Sequence, residues 1–212
     1  MPVKLRLAST IVLVLLAGCT RSGTIEEGGI YTVRSVCPQV AIPGATGDIT
    51  LFDPAGSTAS SAIDVAAAIT NLRENCQDSG AEVISTATFD VVATRRDASQ
   101  ARQVLLPYFD TVVQAGDTVV AKRIGQVALS FPAGSFRAQT SAQATARIAR
   151  SAATLPENVR QILIRPRKES DPDAAVDPLS DPGVRAAVAR ASFQHLIGFQ
   201  LTPEQLRYNA TR

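Results

Sequence analysis

The stretch that most restricts the fold of this chain is AEVISTATFDVVATRR, residues 81–96. Its residues alternate with a period of two over about a dozen positions, which is typical of a β-strand that buries one face. The apolar face consists of Val83, Ser85, Ala87, Phe89, Val91 and Ala93, and the polar face of Glu82, Thr86, Thr88, Asp90 and Thr94, with Ile84 and Val92 as exceptions. Such a strand needs neighbours in a sheet and a second layer over its apolar face.

Further strand signals lie on both sides of this stretch. The apolar runs QVLLPYFDTVV and TVVAKRIGQVALSF are separated by QAGD, which predicts a β-hairpin. Pro107 inside the first run indicates that part of it lies at a sheet edge or a bulge. The Ala-rich stretches at residues 62–77 and 138–153 are ambiguous between helix and strand, and we favour strands that complete the sheets.

Several strands at short spacing, with Gly and Pro turns between them, predict a mainly β fold. We expect a two-sheet sandwich over residues 30–168, followed by a short C-terminal α-helical segment. The pattern resembles the broad immunoglobulin-like class. True immunoglobulin domains have a buried Trp, and this chain contains no Trp, so the resemblance implies the architecture alone.

Residues 1–18 have the features of a secretion signal. Lys4 and Arg6 precede an apolar run of about eleven residues, which is the length of a signal-peptide core and too short to cross a bilayer. The motif at its end resembles the lipobox of bacterial lipoproteins, and it consists of Leu16, Ala17, Gly18 and Cys19. The resemblance implies cleavage between Gly18 and Cys19 and lipidation of the Cys19 thiol. The alternative is an ordinary secretion signal with a chance Cys.

A lipid anchor of two or more acyl chains would hold the protein on a membrane without spanning it. Thr20 follows the Cys, where lipoproteins retained in the inner membrane of enterobacteria have Asp, so we expect the outer membrane of the bacterial envelope, facing the periplasm. Residues 19–29 would be a polar, Gly-rich tether. The chain has 21 basic and 19 acidic residues, and loss of the signal with Lys4 and Arg6 makes these numbers equal. The charge therefore gives no reason to expect nucleic acid as a partner.

Cys37 and Cys76 remain once Cys19 is assigned to the lipid. In an oxidising periplasm an even pair predicts a disulfide. The bond would close a loop of about 40 residues and stabilise the fold by up to ~4 kcal/mol in the chain-entropy account. A metal site and a reactive thiol are the alternatives, but a metal would need more ligands and the only histidine, His195, lies far along the chain. We expect no metal and no cofactor.

The chain changes character near its C-terminal end. Residues 169–181 are acidic and Pro-rich, as in an exposed linker, and residues 182–212 are predicted to be helices. DPG at residues 181–183 has an N-cap followed by Pro at the first helical position, and TPEQ at residues 202–205 matches a capping box. The ending RASFQHLIGFQLTPEQLRYN, with DPLSDPGVRAAVA before it, resembles uncharacterised lipoproteins of alphaproteobacteria, which implies a location and no activity.

An apolar stripe in this C-terminal segment has two interpretations. Its residues are Phe193, Leu196, Ile197, Phe199 and Leu201. They could pack on the sandwich and close one end of its core. Alternatively, they could form an amphipathic docking segment, held on the linker, that meets a protein partner in the envelope.

The sequence offers no catalytic residue. It contains no nucleophile elbow, no zinc-protease motif and no phosphate-binding loop. His195 falls on an apolar segment predicted to be helical, where a lone His is more often a packed or partly exposed residue than a catalyst. The linker acids have no apolar pocket that would suit a general acid, and they are Asp171, Asp173, Asp177 and Asp181. We therefore expect a protein that is not an enzyme.

Two hypotheses of function follow from these features. The first is a non-enzymatic, membrane-anchored lipoprotein that binds another protein or maintains the envelope. The second is a ligand-binding module for a lipid, a glycan or a peptidoglycan fragment, with its cleft between the sheets or under the C-terminal helices. An exposed apolar patch on a helix or a sheet edge would favour the first hypothesis, and a dry apolar cavity would favour the second.

Overall fold

The computed structural model describes residues 25–26, 29–30, 35–167 and 170–211. It is mainly β, with two four-stranded sheets packed as a sandwich, so the predicted fold class is confirmed. The strands are β1 (Ile25–Glu26), β2 (Gly29–Ile30), β3 (Gln39–Ala41), β4 (Asp48–Phe52), β5 (Ile63–Ser79), β6 (Glu82–Arg95), β7 (Arg102–Gln114), β8 (Thr118–Phe131), β9 (Arg137–Ala149) and β10 (Phe193–Phe199). Sheet I has the order β3-β10-β7-β8, sheet II has the order β4-β5-β6-β9, and β1 pairs with β2 apart from both.

Strand β6 has the alternation that its sequence predicts. Its apolar face is buried against sheet I, with Val83, Ala87 and Val91 fully inaccessible to solvent. The Ala-rich stretches are strands, as favoured, over residues 63–77 and 138–149, where β5 and β9 flank β6 on its two sides. The strand prediction is wrong for residues 150–153, which form helix α1. Ala66 and Ala67 of β5 pair in register with Thr94 and Ala93 of β6.

The predicted hairpin is formed by β7 and β8, which pair from Arg102 with Phe131 to Gln114 with Thr118. Strand β7 lies between β10 and β8 in sheet I, and Pro107 is level with the end of β10. The N–H of Gln200, directly after β10, donates to the carbonyl of Pro107 at 2.9 Å. Pro107 therefore faces the end of the β10 ladder, where its missing N–H costs no hydrogen bond between strands.

The main core lies between the two sheets. Large apolar side chains from β6, β7, β8 and β10 fill it, including Phe89, Leu106, Leu129, Phe131 and Phe199, each at most 2% exposed. Burying a side chain of this size contributes about 1.5–3 kcal/mol relative to leaving it in water. This layer is the principal source of stability for the sandwich.

Four short α-helices follow β9: α1 (Arg150–Ala153), α2 (Glu157–Ile164), α3 (Pro182–Arg190) and α4 (Pro203–Thr211). The predicted caps are confirmed. The Asp181 carboxylate accepts from the N–H groups of Gly183 and Val184 at 2.7 and 3.0 Å. Thr202 and Gln205 bond each other reciprocally at 2.9 and 3.2 Å. These caps satisfy backbone donors that a helix start leaves without partners.

The prediction that residues 182–212 are helical throughout is wrong for residues 193–199. This segment is strand β10, which pairs antiparallel with β7 and parallel with β3 inside sheet I. Its buried positions alternate, with Phe193, His195, Ile197 and Phe199 facing the core. Two neighbouring strands supply backbone partners that are about 80 and 150 residues away in the chain. The spacing of the apolar stripe also suits a helix, and the local sequence contains neither of the strands that pair with it.

The predicted disulfide between Cys37 and Cys76 is present. Cys37 lies just before β3 of sheet I and Cys76 lies on β5 of sheet II, so the bond joins the two sheets.

The predicted signal peptide, including Gly18 and Cys19, and most of the tether lie outside the described residues. Within the described part of the chain, no helix is long and apolar enough to cross a membrane.

Candidate functional site

His195 lies at the centre of a polar network between the two sheets. It is on strand β10, not on a helix, and its side chain has no exposure to solvent. Its Nδ1 is 3.0 Å from the Ser85 Oγ of β6, and its Nε2 is 2.9 Å from the Asp110 Oδ1 of β7. A buried polar group without partners is costly, so both ring nitrogens require these contacts.

The network continues to the surface in two directions. The Ser85 hydroxyl donates to the Glu74 Oε1 of β5 at 3.2 Å, and Glu74 lies at the solvent rim. The Asp110 Oδ2 is 3.3 Å from an Arg123 guanidinium nitrogen of β8, and the Arg123 side chain is largely exposed. We call the set Glu74, Ser85, His195, Asp110 and Arg123 the histidine network. Its members belong to both sheets, and the Ser85–His195 contact crosses between them.

Ser85, His195 and Asp110 are the residue types of a serine hydrolase triad, but their geometry differs from one. In such a triad the Ser contacts Nε2 and the Asp contacts Nδ1, whereas here the two nitrogens are exchanged. Neither Ser85 nor His195 exposes any surface to solvent. A substrate carbonyl would have to reach the Ser85 Oγ for nucleophilic attack, and the closed sheets block that approach. The arrangement is suited to linking the sheets.

The sequence contained part of the signal for this network. Ser85 is the one polar residue within the apolar face predicted for residues 83–93, and Asp110 interrupts an apolar run. Each position therefore suggests a buried polar group that needs a partner. The identity of the partner was not predictable, because His195 is 110 residues from Ser85 and 85 residues from Asp110.

The apolar stripe predicted as a possible partner-binding surface is not an exposed surface. Phe193, Ile197 and Phe199 are at most 8% exposed and pack within the sandwich. Leu196 and Leu201 are half-buried. The docking interpretation of this stripe is therefore corrected, because strand pairing places its alternate residues in the core between the sheets.

Exposed apolar residues occur instead on the first half of strand β8. All seven residues at 118–124 are exposed, although sandwich strands usually bury one face. Val119, Val120 and Ile124 are 57%, 49% and 55% exposed. We call residues 118–124 the open edge. β8 is the last strand of sheet I, and no described strand pairs with its outer side.

Two other sheet edges are covered by side chains. On the β4 edge, the Asn209 amide of α4 donates to the carbonyls of Ala45 and Asp48 at 3.0 and 2.8 Å. On the β9 edge, the carbonyl of Gln143 accepts from the Tyr108 hydroxyl at 3.4 Å, and the carbonyl of Thr145 accepts from Arg123. Such contacts protect edges from pairing with another chain.

Tyr108 keeps its hydroxyl proton for this contact. Burial, with the nearby Asp110 carboxylate, raises the pKa of Tyr108, while Arg123 acts in the opposite direction. The Tyr108 ring passes over Gly125 of β8, where a side-chain carbon would approach ring atoms to 2.6 Å. Gly125 thus allows Tyr108 to reach from β7 across β8 to the β9 edge.

One depression lies on the outer face of sheet II, away from the predicted clefts between the sheets or under the C-terminal helices. It is open, with a volume of about 730 Å³, and crosses all four strands. Its floor includes Ala66, Ala68 and Val92, and Asp48 and Arg137 stand at its ends. None of its lining side chains is aromatic, so it lacks the stacking surface typical of glycan sites. Its shape does not match the enclosed apolar cavity that would favour a lipid ligand.

The linker acids have structural partners. Asp173 pairs with Arg165, Asp177 accepts from the N–H of Leu179, and Asp181 caps α3. In the described ranges, no group of three or more His, Cys, Asp or Glu side chains could hold a metal ion.

The chain matches no protein-family model, and searches of curated proteins and of solved structures found no match.

Proposed function

We propose that this protein is a lipid-anchored, non-enzymatic protein of the bacterial envelope that binds a partner protein through strand β8. The observation that supports it is the open edge: a strand end that is unpaired by described strands and carries three exposed β-branched apolar residues. An edge of this kind is a template for another strand. Natural monomers usually shield it, and the contacts on β4 and β9 do so in this chain.

The occupant we propose is an extended segment of another protein that adds to sheet I beside β8. Main-chain hydrogen bonds would provide affinity, and pockets for alternate side chains would provide selectivity. Val119, Val120 and Ile124 expose apolar surface on the open edge, so the segment should carry apolar side chains in its middle. Pairing would bury these residues together with the free backbone groups.

The backbone direction along the open edge follows from the ladder. The backbone carbonyl of Pro107 points toward β10. Backbone groups alternate in direction along a strand, so those of Thr111 point toward β10 as well. Thr111 pairs with Lys122 of β8, so this pair does not exchange hydrogen bonds and Lys122 directs its N–H to the free side. A Pro at position 122 would therefore remove one docking donor while leaving the β7–β8 ladder intact.

The experiment places a photoreactive amino acid at position 120 of the full-length protein and irradiates living cells. We expect a crosslink to one partner that is lost in Lys122→Pro and retained in Lys122→Gln, which removes the charge but keeps the N–H. A photoreactive residue at Thr88, exposed on the outer face of the other sheet, is the control position. Crosslinks at both positions, or a crosslink unaffected by Lys122→Pro, would overturn strand addition. A crosslink to a second copy of this chain would replace the foreign partner with self-association.

The anchor rests on the lipobox resemblance and needs its own test. Cells grown with radioactive palmitate should label the wild-type protein, and Cys19→Ala should abolish the label and release the protein from the membrane fraction. Cys37→Ala is the matched control, since Cys37 is in a disulfide, and it should leave the label unchanged. Equal labelling of wild type and Cys19→Ala would exclude the anchor.

A further inference from the structure

The hydrogen atoms of the histidine network do not suffice for every contact unless His195 carries two. Ionised carboxylates only accept hydrogen bonds, and a Ser hydroxyl has one hydrogen to donate. The Ser85 oxygen is within hydrogen-bond distance of both the Glu74 carboxylate and the His195 Nδ1. The Asp110 carboxylate on the other side requires a hydrogen on Nε2.

Two arrangements meet these requirements differently. If the ring carries both hydrogens, Nδ1–H donates to Ser85 and the Ser85 hydroxyl donates to Glu74, so every contact is formed. If the ring is neutral, its hydrogen stays on Nε2 beside Asp110, and Nδ1 becomes an acceptor. The Ser85 hydroxyl must then turn to Nδ1, and Glu74 loses its donor.

We propose that His195 is a proton-controlled link between the two sheets, in which the charge of the ring decides the direction of the Ser85 hydroxyl. When the ring releases the Nδ1 proton to solvent, the Ser85 hydrogen turns from Glu74 to Nδ1. The continuous chain of bonds from Glu74 to Arg123 is then broken at Glu74. The link is complete while the ring carries both hydrogens and both carboxylates are ionised, and it is broken once the ring is neutral.

The charges around His195 balance only with the doubly protonated ring. Glu74 of β5 and Asp110 of β7 contribute two negative charges, and Arg123 of β8 contributes one positive charge. The protonated ring supplies the second positive charge. The described side chains that β3, β6 and β9 direct toward the ring carry no charge, because Val40, Ser85 and Ala146 stand there. Glu74 and Arg123 are exposed, and the buried part of the network, His195 with Asp110, has no net charge when the ring is protonated. A buried ion pair of this kind avoids much of the desolvation penalty of an isolated ion.

The link lies beside the covalent connection between the same sheets. Ser85 pairs directly with Cys76 across β6 and β5, and Cys76 forms the disulfide to Cys37. One end of the sandwich thus has a permanent link and a proton-controlled link on neighbouring residues. Proton release from His195 would loosen Glu74 and its stretch of β5 without separating the sheets.

The test follows the imidazole nitrogens by NMR in the full-length protein labelled with ¹⁵N-histidine. His195 is the only histidine in the chain, so every ring signal reports on it. We expect two protonated ring nitrogens at low pH and, after the titration, a neutral ring with hydrogen on Nε2. A neutral ring with hydrogen on Nδ1, or a ring that keeps one state throughout the folded range, would overturn the proposal.

Variants then test the coupling through Ser85. Glu74→Gln should move the ring titration to lower pH, whereas Glu82→Gln, at a surface pair with Arg147, should leave it unchanged. In a Ser85→Ala background, Glu74→Gln should no longer move it, because the relay is absent. An equal shift in both backgrounds would mean a direct field effect and would exclude the relay. If Ser85→Ala does not fold, the ring tautomer and the Glu74→Gln shift still decide the proposal.

Discussion

Strand β6 carries a buried polar site near each of its ends, and the buried side chains of the two sites have different kinds of hydrogen-bond partner. At one end Ser85 bonds His195, which is fully buried. At the other end Arg95 is 5% exposed, and its guanidinium lies 5.0 Å from the Phe131 ring. The two positions are ten residues apart, which is roughly 33 Å along a strand. The apolar core lies between them.

Arg95 is bonded by the backbone alone at all three of its nitrogen atoms. These donate to the carbonyls of Ser135, Gln100 and Pro132 at 2.9, 2.7 and 2.8 Å. Its charge is constant, because a guanidinium does not lose its proton in proteins. His195 is bonded by side chains, and an imidazole can carry one hydrogen or two. The comparison indicates a static clamp at the Arg95 end and an adjustable link at the His195 end.

The largest loss of stability is expected when the disulfide at the His195 end is removed. Replacing both Cys37 and Cys76 with Ala should lower the free energy of unfolding by up to about 4 kcal/mol, because the unfolded chain loses a cross-link over 39 residues. Urea unfolding of the oxidised wild type and the double variant measures the difference. Reduced wild type should match the variant. An unchanged midpoint would mean that the disulfide contributes nothing to this end.

The clamp at the other end should be the next most sensitive site. Arg95→Ala removes the donors of three carbonyls and leaves space beside Phe131, so we expect a loss of roughly 3 kcal/mol. The loss should be the same at pH 5 and pH 8, since Arg remains charged. Arg96→Ala is the matched control, because Arg96 is the next residue and is exposed. A loss that changes with pH in this range would contradict a static clamp.

The smallest effect is expected in the middle of β6, on its solvent face. Asp90 accepts from Ser141 at 2.6 Å and from Asn71 at 2.9 Å, and these bonds lower the pKa of Asp90. Its contribution is therefore present above the ordinary carboxyl pKa of about 3.9 and is lost as the pH falls through the lower folded value.

Asp90→Asn should accordingly reduce the urea midpoint slightly at pH 7 and leave it unchanged in strong acid. Ser141→Ala should reproduce part of the reduction at pH 7, because it removes the first of the two donors. This result would separate a carboxylate whose contribution is lost only in acid from the ring of His195. A difference that persists at the acid end would contradict the assignment to Asp90 ionisation.

Much of the sandwich was predictable because its signals are local. The alternation in β6, the β7–β8 hairpin, the Asp181 cap and the capping box at Thr202 each depend on residues within a few positions of one another. The disulfide was predictable from the even number of remaining cysteines. Helix α2 begins directly after Pro156, and Glu157 in its first turn is bonded by Arg160, which lowers the pKa of Glu157 to about 2.

The candidate sites were not predictable in the same way. The open edge depends on which strand ends a sheet, and that order follows from the insertion of β10 between β3 and β7. The histidine network joins residues from five strands. In the sequence, Ser85 and Asp110 were polar residues within apolar patterns, and His195 stood on a stripe whose spacing also suited a helix.

The sequence by itself determined the strand character of β6 to β8, the helix starts and the resemblance of residues 16–19 to a lipobox. These features follow from side-chain periodicity, backbone capping and short motifs, which act over a few residues. Only the tertiary structure decided that Phe193–Phe199 is a strand, that His195 meets Ser85 and Asp110, and that residues 118–124 remain open. The physical reason is that strand pairing and burial of a polar group are satisfied by partners far along the chain.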